Sequence, residues 1–413
     1  MVFVGERCYK LHRIMLIALG LWPYQKPFIW RMQAVFFFSA HCCNFFFQFT
    51  AFLTTTCNTD CILKRFSYIC IGCVYAMNYY SFYFNSESIK QMLEHIQLDW
   101  KMFKNSDTIK TFEEYLFVSY VFILFGCIVV CIGVFGFAAI ECRPVILDVI
   151  IPMNESRPRK VEVDMEIFVD KEQYFFLYIM EEVVSLGIGL FSVITTGTFL
   201  ATIAEHCCAT YKIASCLIES TVTIHTLAIP VDQKIQFMHR SICLSVYIHR
   251  RTMEFVKRIV HSFDLWYLPL CLIAVLSLSC LLFRLYNAII NTNDWYDILV
   301  CCVLVYAYLI YMFVGNFLAQ SYTEHSAELL ESTYNCLWYI APLPIQKLFL
   351  LMQKATKSHK VVMGGLFTLS VEGFSTVNVK IRSDFIDLGR FAKSVNHAVL
   401  LTPITIGCAR KHD

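Results

Sequence analysis

Two adjacent acidic residues, Glu181 and Glu182, have the side chains that a general acid and a general base would need. They open a strongly apolar run that predicts a helix, and successive residues on an α-helix point about 100° apart. Glu181 and Glu182 therefore cannot share a proton as a paired acid and base would. The sequence also shows no serine–histidine–aspartate order and no glycine-rich phosphate loop. We predict that the protein is not an enzyme.

Twenty cysteines are the second group of residues with possible chemistry. Disulfide-dense folds are short secreted chains, whereas most of these cysteines lie inside apolar runs of a 413-residue chain. Cys70 and Cys73 have the spacing of half a metal site, but they lie within such a run and lack a second pair. Cys57 and Cys61 flank a short loop and could pair, although free thiols are the favoured expectation. The sequence predicts no metal and no cofactor.

The composition indicates a membrane protein. Hydrophobic residues make up 57% of the chain and charged residues 16%, whereas an average soluble domain has about 25% charged residues. The formal net charge of +2 provides no basic excess that would neutralise nucleic-acid phosphates. We therefore expect membrane lipid, and not nucleic acid, around this chain.

Six apolar runs have the length of about 20 residues that a helix needs to cross a bilayer core. They are residues 28–53, 62–84, 115–140, 175–204, 266–290 and 295–319. His41 and Arg284 lie within two of these runs, and Lys64 and Arg65 lie at the edge of another. Because ionisable groups are costly at membrane depth, we expect these side chains to face the protein interior or to extend toward the membrane surface. The later run 361–369 is too short to span as an ordinary helix.

The distribution of Lys and Arg predicts the orientation, because positive flanks of membrane helices stay in the cytosol. The N-terminal segment 1–27 and the inner segment 205–265 belong to the strongly basic set of flanks. The N-terminus is therefore predicted to be cytosolic and the loop 141–173 to lie outside, where Asn154 begins an Asn-Glu-Ser glycosylation acceptor. Within 205–265, apolar residues recur every three or four positions, which predicts an amphipathic helix.

Several local sequences resemble those of insect odorant receptors, in the same order and over nearly the whole chain to about Thr376. They are Leu19-Gly20-Leu21-Trp22-Pro23, Leu98-Asp99-Trp100, Ser332-Thr333-Tyr334-Asn335 and the run from Met363 to Thr376. The last two are the most specific, and they look like the anchor helix and the start of the pore helix of that family. Gustatory receptors share the inverted topology but usually end in a different short signature, so the odorant receptor resemblance is favoured.

The resemblance implies an all-α polytopic membrane protein with the seven-helix insect odorant receptor fold and a cytosolic N-terminus. The six-span bundle would occupy residues 28–319, and cytosolic anchor helices at 320–360 would hold four subunits together. The pore helix would start within 361–379. Its first residues would include Leu369, Phe374 and Thr376.

The function implied by the resemblance is an odorant receptor subunit in the plasma membrane of sensory neurons. Such a subunit binds a small volatile apolar odorant, assembles with a co-receptor in a heterotetramer and opens a non-selective cation pathway. The chain looks like the odorant-specific subunit, because it is shorter than a co-receptor and lacks an additional insertion in its inner loop. Alternatives are a gustatory-type channel, a G-protein-coupled receptor, which needs an outside N-terminus, and a secondary transporter, whose internal repeats are absent from this sequence.

In this family the odorant pocket lies in the outer half of the bundle, among spans two, three, four and six. On the second span, Tyr68, Gly72, Tyr75 and Tyr79 recur at helical spacing and form one stripe, which we expect to line the pocket. Further candidates lie on the other three spans. These are Gly133, Phe137, Tyr178, Met180, Leu299, Cys302 and Tyr306.

The sequence departs from the family after Thr376, where charged residues such as Lys380, Arg382 and Asp384 replace an apolar stretch. A segment with this many charged residues does not suit a lipid-facing helix. We predict that the seventh helix is truncated or replaced, and that residues 380–413 form an atypical tail. A subunit of this kind is expected to assemble through its anchor but to conduct poorly.

Overall fold

The computed structural model of the chain describes residues 4–54, 59–103, 106–151, 157, 161–292, 295–355, 358–365 and 367–376. These residues are mostly α-helical. The helices are α1 (Val4–Ala18), α2 (Pro27–Thr54), α3 (Thr59–Phe84), α4 (Ser86–Met102), α5 (Ser106–Glu141), α6 (Arg143–Ile150), α7 (Phe175–Thr221), α8 (Ile224–Leu227), α9 (Val231–Asn287), α10 (Trp295–Asn335) and α11 (Leu343–Ala355). A π-helical turn (Ala288–Thr292) follows α9, a 3-10 turn (Trp338–Ile340) precedes α11, and two short strands, β1 (Val362–Met363) and β2 (Phe367–Thr368), follow α11.

Five of the six predicted spans lie within single long helices, namely α2, α3, α5, α7 and α10. The span 266–290 lies in α9 and ends in the π-helical turn that follows it. Of these six helices, all except α3 are long and apolar enough to cross a membrane. The first turns of α3 carry Lys64 and Arg65, which lower its hydropathy. The prediction of an all-α polytopic membrane protein is confirmed.

The long helices alternate in direction and pack around α7, which contacts α5, α10, α9 and α3. At one end of the bundle, residues 161–174 cross the helix ends, and we call this segment the strap. Thr50 at the end of α2 donates a hydrogen bond to the carbonyl of Glu166 in the strap, over 3.0 Å. The carboxylate of Glu141, at the end of α5, accepts one from the backbone N–H of Glu162, over 3.2 Å. The opposite end of the bundle, which includes α4 and α11, is called the base.

The base is formed by helices that continue beyond the apolar runs. Residues 205–265, predicted as a long inner loop, are mainly the second part of α7 and the first part of α9, with only residues 222–230 between them. The amphipathic helix predicted there is confirmed, since Met238 and Ile242 of α9 are buried in a cluster with Phe112, Ile213 and Phe349. The base therefore has its own hydrophobic core.

The segment 361–379, in which the pore helix is predicted to start, begins with a hairpin and not with a helix. Residues 362–368 form an antiparallel hairpin in which Met363 pairs with Phe367. Gly364 and Gly365 have φ of +58° and +66°, a backbone conformation that β-carbon-bearing residues avoid, so they favour this turn. Residues 371–376 are helical. The remainder of the predicted pore helix and the tail 380–413 lie outside the described residues.

Cys61, near the start of α3, is disulfide-bonded, which corrects the expectation of a free thiol. Its place at a helix end, beside the short loop, is the feature that left pairing open in the sequence. Cys57 and the glycosylation candidate Asn154 lie outside the described residues.

Candidate functional site

The four residues of the predicted stripe on α3 face four different neighbours. Tyr79 is fully buried and donates a hydrogen bond to the carbonyl of Leu19 over 3.2 Å. Gly72 faces α2, because a Cβ atom there would lie 3.2 Å from the ring of Phe45. Tyr68 points to the strap and Tyr75 to α7, as described below. The stripe is therefore an interior surface of the bundle, and its role as a ligand pocket stays a prediction.

Tyr75 packs against Gly189 at the closest approach of α3 and α7. A Cβ atom at position 189 would overlap the Tyr75 ring, so the absence of a side chain on Gly189 makes room for it. The other side of the ring packs against an apolar cluster that joins α3, α9 and α10 and includes Val74, Leu278 and Tyr308. The Tyr75 ring thus lies in an enclosed, mainly apolar region, which is the environment that small apolar ligands require.

The remaining candidates divide between the interior and the surface of the chain. Tyr178 is fully buried, Phe137 is half-buried, and a Cβ atom at Gly133 would lie 3.3 Å from Leu190. Four candidates instead face outward, with Tyr306 as much as 67% exposed. These four are Met180, Leu299, Cys302 and Tyr306. The structure therefore does not bring them together with the stripe.

Sequence reasoning missed the residues by which α10 closes this region. Tyr308 is buried and Tyr311 is half-buried against the same apolar cluster as Tyr75. The hydroxyl of Tyr311 donates a hydrogen bond to the side-chain oxygen of Asn78 on α3, over 3.3 Å. Because α10 is apolar on all sides, its sequence carries no polar pattern that would have identified this face.

Tyr68 belongs to a polar cluster under the strap. Its hydroxyl donates a hydrogen bond to Oε1 of Glu162 over 2.8 Å, and Nη2 of Arg284 lies 2.6 Å from the same oxygen. Lys64 pairs with Glu162 at 3.2 Å, and Arg284 also pairs with Asp297 of α10. Arg284 thus faces the interior, which was one of the two positions expected for it. The cluster ties the strap to α3, α9 and α10.

Tyr178 holds the other end of the strap. Its hydroxyl donates to the carbonyl of Val169 over 3.1 Å and accepts a hydrogen bond from the backbone N–H of Ile167 over 3.3 Å. The ammonium of Lys171 lies 5.7 Å from the ring centre, within range of a cation–π contact. Tyr178 therefore positions the strap over the bundle.

Glu181 and Glu182 occupy different surroundings, in agreement with their adjacent positions on a helix. Glu182 is buried and accepts a hydrogen bond from the backbone N–H of Val163 in the strap, over 3.1 Å. Glu181 lines a small cavity between α2 and α7. The two carboxyl groups do not form an acid–base pair.

A second polar cluster lies in the base, around Asp99 of α4. Its carboxylate accepts a hydrogen bond from Nε of Arg251 over 3.1 Å, and Nε2 of His206 lies 3.2 Å from its other oxygen. Burial acts to raise the pKa of Asp99, but the hydrogen bond from His206 and the neighbouring positive charges outweigh it and hold the pKa below its ordinary value. Asp99 thus joins α4 to α7 and α9.

His95, one turn before Asp99, makes the stability of the base depend on pH. Its ring stacks on Phe255 at 4.1 Å between centroids, and burial lowers its pKa from 6.5 to about 4. Asp99 acts in the opposite direction, whereas Arg251 and Arg258 reinforce the lowering. Between these pH values the unfolded chain binds more protons than the folded chain, so the folded state loses stability as the pH falls.

We expect the free energy of unfolding to fall by up to about 3 kcal/mol between pH 7.5 and pH 4 because of this histidine. Thermal unfolding of the purified protein from pH 7.5 to 5 measures most of the loss, while Asp99 stays ionised. His95→Phe keeps the stacking on Phe255 but cannot titrate, so its melting temperature should vary less across that range. If the melting temperatures of the wild type and of His95→Phe change equally with pH, the assignment is refuted.

Comparison with known proteins identifies the family. The family model described as 7tm Odorant receptor matches residues 58–380, well over half of the chain. The fold is similar to that of the insect olfactory receptor OR5 from Machilis hrabei in complex with eugenol, with a TM-score of 0.71, 14% sequence identity, and coverage of 92% of this chain and 97% of that chain. A second structure of OR5 from Machilis hrabei matches with a TM-score of 0.67 and the same identity and coverage. No curated protein matches the sequence. By its family match, this chain belongs to the 7tm odorant receptor family.

Proposed function

We propose that the chain is the odorant-specific subunit of a ligand-gated cation channel. It binds a small volatile apolar odorant and opens a non-selective cation pathway in a heterotetramer with a co-receptor. It lies in the plasma membrane of sensory neurons with its N-terminus, and hence the base, in the cytosol. The observation that carries the proposal is the enclosed aromatic region around Tyr75 in a chain of this family.

The chemistry around Tyr75 supports an apolar ligand. The ring contacts a glycine of α7 and aliphatic side chains of α3 and α9, with few polar groups nearby. Rotation of Tyr75 would open space between α3 and α7 without breaking an ion pair. A relative with the same fold has been solved in complex with eugenol, which supports a small odorant as the ligand.

The surface of the base supports assembly with other subunits. Around the 3-10 turn and α11, several large apolar side chains are exposed. They are Tyr334, Tyr339, Ile340, Leu343, Leu350 and Leu351. Exposed apolar patches of this kind mark protein–protein contacts. The odorant-specific assignment, as opposed to the co-receptor, is supported by the short connection between α7 and α9, which leaves no room for an inserted domain.

The first test of this function is an odorant screen on the chain expressed with and without a co-receptor. We expect odorant-evoked cation currents only when both are present, and we expect these currents to be weak, because charged residues replace the apolar stretch after Thr376. Labelling of an N-terminal epitope should require permeabilised cells, because the base is proposed to be cytosolic. Currents that require a G protein would exclude the proposed function, and so would an N-terminal epitope that is accessible on intact cells.

Gly189→Ala tests whether the region around Tyr75 is the ligand site. The added methyl would displace the Tyr75 ring, and overpacking of this kind costs about 1–3 kcal/mol. If ligand binding uses that space, the half-maximal odorant concentration should shift by about tenfold or more.

The matched control is Gly197→Ala, two turns further along α7, where a Cβ atom would meet nothing within 4 Å. Its dose response should stay that of the wild type. Surface expression of both variants must be measured, since a loss of folded protein would mimic a loss of response. An unchanged dose response in a normally expressed Gly189→Ala channel would place the ligand elsewhere.

A further inference from the structure

A cavity of about 70 Å³ lies between α2 and α7. Three of its lining side chains are polar, namely His41, Glu181 and Ser185. The apolar part of its wall includes Ala40, Val184 and Ile188. Polar side chains grouped in this way inside an apolar wall need partners, because a bilayer core supplies no water to satisfy them.

In the described part of the chain, the unsatisfied polar atom of this cavity belongs to His41. It is only 9% exposed, and among the residues that the structure describes its Nε2 atom has no hydrogen-bond partner. The ring packs against Tyr79 and Tyr80, with 5.9 Å between centroids in both cases. These aromatic contacts fix the ring but do not satisfy its nitrogen. A buried donor or acceptor left in this state implies a missing hydrogen-bond partner.

The neighbouring polar groups are positioned by contacts between the two helices. Nδ2 of Asn44 donates a hydrogen bond to the hydroxyl of Ser185 over 2.7 Å. Nε2 of Gln48 in turn donates to the side-chain oxygen of Asn44 over 2.8 Å. This ladder satisfies Asn44 and holds Ser185 at the edge of the cavity, facing the same space as His41.

The cavity opens sideways, toward the surface that the two helices present to lipid. Val184 and Cys43, which line it, are both exposed on that surface. An occupant can therefore enter from the bilayer. A volume of about 70 Å³ admits a small polar head and excludes a whole lipid, whose chain would have to remain in the groove outside.

We propose that this groove between α2 and α7 binds the hydroxyl group of a neutral amphiphile that enters from the membrane. A hydroxyl both donates and accepts, so it can satisfy Nε2 of His41 in either tautomer and bond to Ser185 or Glu181 as well. An anionic head is disfavoured, because it would face the carboxyl group of Glu181 in a low-dielectric environment. The apolar tail of the ligand would lie along Val184 and Ile188. The residues that line this site do not include Tyr75.

The probe for this site is a long-chain alcohol that carries a photoreactive diazirine next to its hydroxyl end. The full chain, assembled with its partner subunits in phosphatidylcholine vesicles, is irradiated with this alcohol, and the labelled peptides are identified by mass spectrometry. Two matched probes serve as controls. The corresponding alkane shows how much labelling the tail alone produces, and the corresponding phosphate monoester shows how much a charged head produces. We expect the alcohol to label α2 and α7 around His41 and Ser185 at least fivefold more than either matched probe.

Val184→Trp fills the groove from the lipid side and should reduce this labelling at least fivefold, and His41→Leu should reduce it as well. Val129→Trp on α5 is the matched control, since Val129 is 43% exposed and Val184 46%. Its labelling should equal that of the wild type. Odorant-evoked currents and melting temperatures verify that each variant is folded, and they do not depend on the label.

Equal labelling of the groove by the alcohol and the alkane would overturn the proposal, as would stronger labelling by the phosphate monoester. Unreduced labelling in a folded Val184→Trp variant would also overturn it, because the label would then come from another surface. If only water occupies the cavity, no probe labels it specifically, and the proposal fails. None of these outcomes depends on whether the region around Tyr75 binds an odorant.

Discussion

Replacing Arg284 with methionine is expected to lower the free energy of unfolding by about 3 kcal/mol or more. The Arg284 side chain is only 5% exposed, and it contacts Glu162, Asp297 and the hydroxyl of Tyr68 at the same time. Removing it leaves two carboxylates near the end of the bundle with Lys64 as the remaining cation close to Glu162. Breaking a buried pair from one side is costly because the other charge stays without compensation.

The measurement is the thermal stability of the purified subunit, together with the fraction that reaches the cell surface. Arg250→Met is the matched control. Its guanidinium lies 2.9 Å from Glu254, but both side chains are more than half exposed. An exposed pair of this kind contributes about 0–1 kcal/mol. Arg250→Met should therefore behave almost like the wild type.

A second substitution separates the charge of Arg284 from its packing. If the uncompensated carboxylate is the cause, adding Glu162→Gln to Arg284→Met should recover part of the lost stability, since the glutamine carries no charge. Glu162→Gln alone should destabilise, because it removes the negative charge that faces Arg284 and Lys64. No recovery in the double variant would show that packing, and not the buried charge, dominates at Arg284.

The position of the helices was predictable from the sequence, whereas their full extent was not. The six apolar runs are helical throughout, with only the end of run 266–290 in the π-helical turn after α9, because a bilayer-length run of apolar residues leaves the backbone little alternative to a helix. The helices α7, α9 and α10 continue well past these runs into the base. There one helix face is polar, so a search for continuous hydropathy ends at the first charges although the helix does not.

The interior position of Arg284 was one of two expectations from the sequence, but its partners were not predictable. Lys64, Glu162 and Asp297 come from three distant parts of the chain, and only the packing of α3, the strap and α10 brings them together. Glu162 lies in a loop that the sequence marks only as polar. Charge alone cannot show which loop residue folds under which helix end.

The faces of the lipid-adjacent helices were the hardest to predict. Helix α10 is apolar on all sides. Its sequence therefore has no polar face that would distinguish Tyr306, which is exposed, from Tyr308, which is buried. The interior side of α3 was easier, because its tyrosines alternate with less bulky residues at helical spacing. In a membrane helix, contact with the other helices and not polarity decides which face is interior.

Replacing Asp99 with asparagine is expected to destabilise the base by about 2–4 kcal/mol. The carboxylate is buried and lies 2.8 Å from Nη2 of Arg251 and 3.2 Å from Nε2 of His206, so both of its oxygens face positive or donor groups. An asparagine amide would place an N–H₂ group against one of these donors. Helix α4 would then lose its main polar attachment to α7 and α9.

Glu87→Gln provides the matched control for this substitution, since it removes a carboxylate from the same helix where the side chain is 71% exposed and lies 3.8 Å from Lys90. Melting temperature and the yield of assembled complex measure the effect of each change. Because the base carries the exposed apolar residues proposed to contact other subunits, Asp99→Asn should lower the yield of the complex as well as the stability of the chain. A variant with a normal melting temperature and normal assembly would show that Arg251 and His206 find other acceptors, and that α4 is held by its apolar contacts alone.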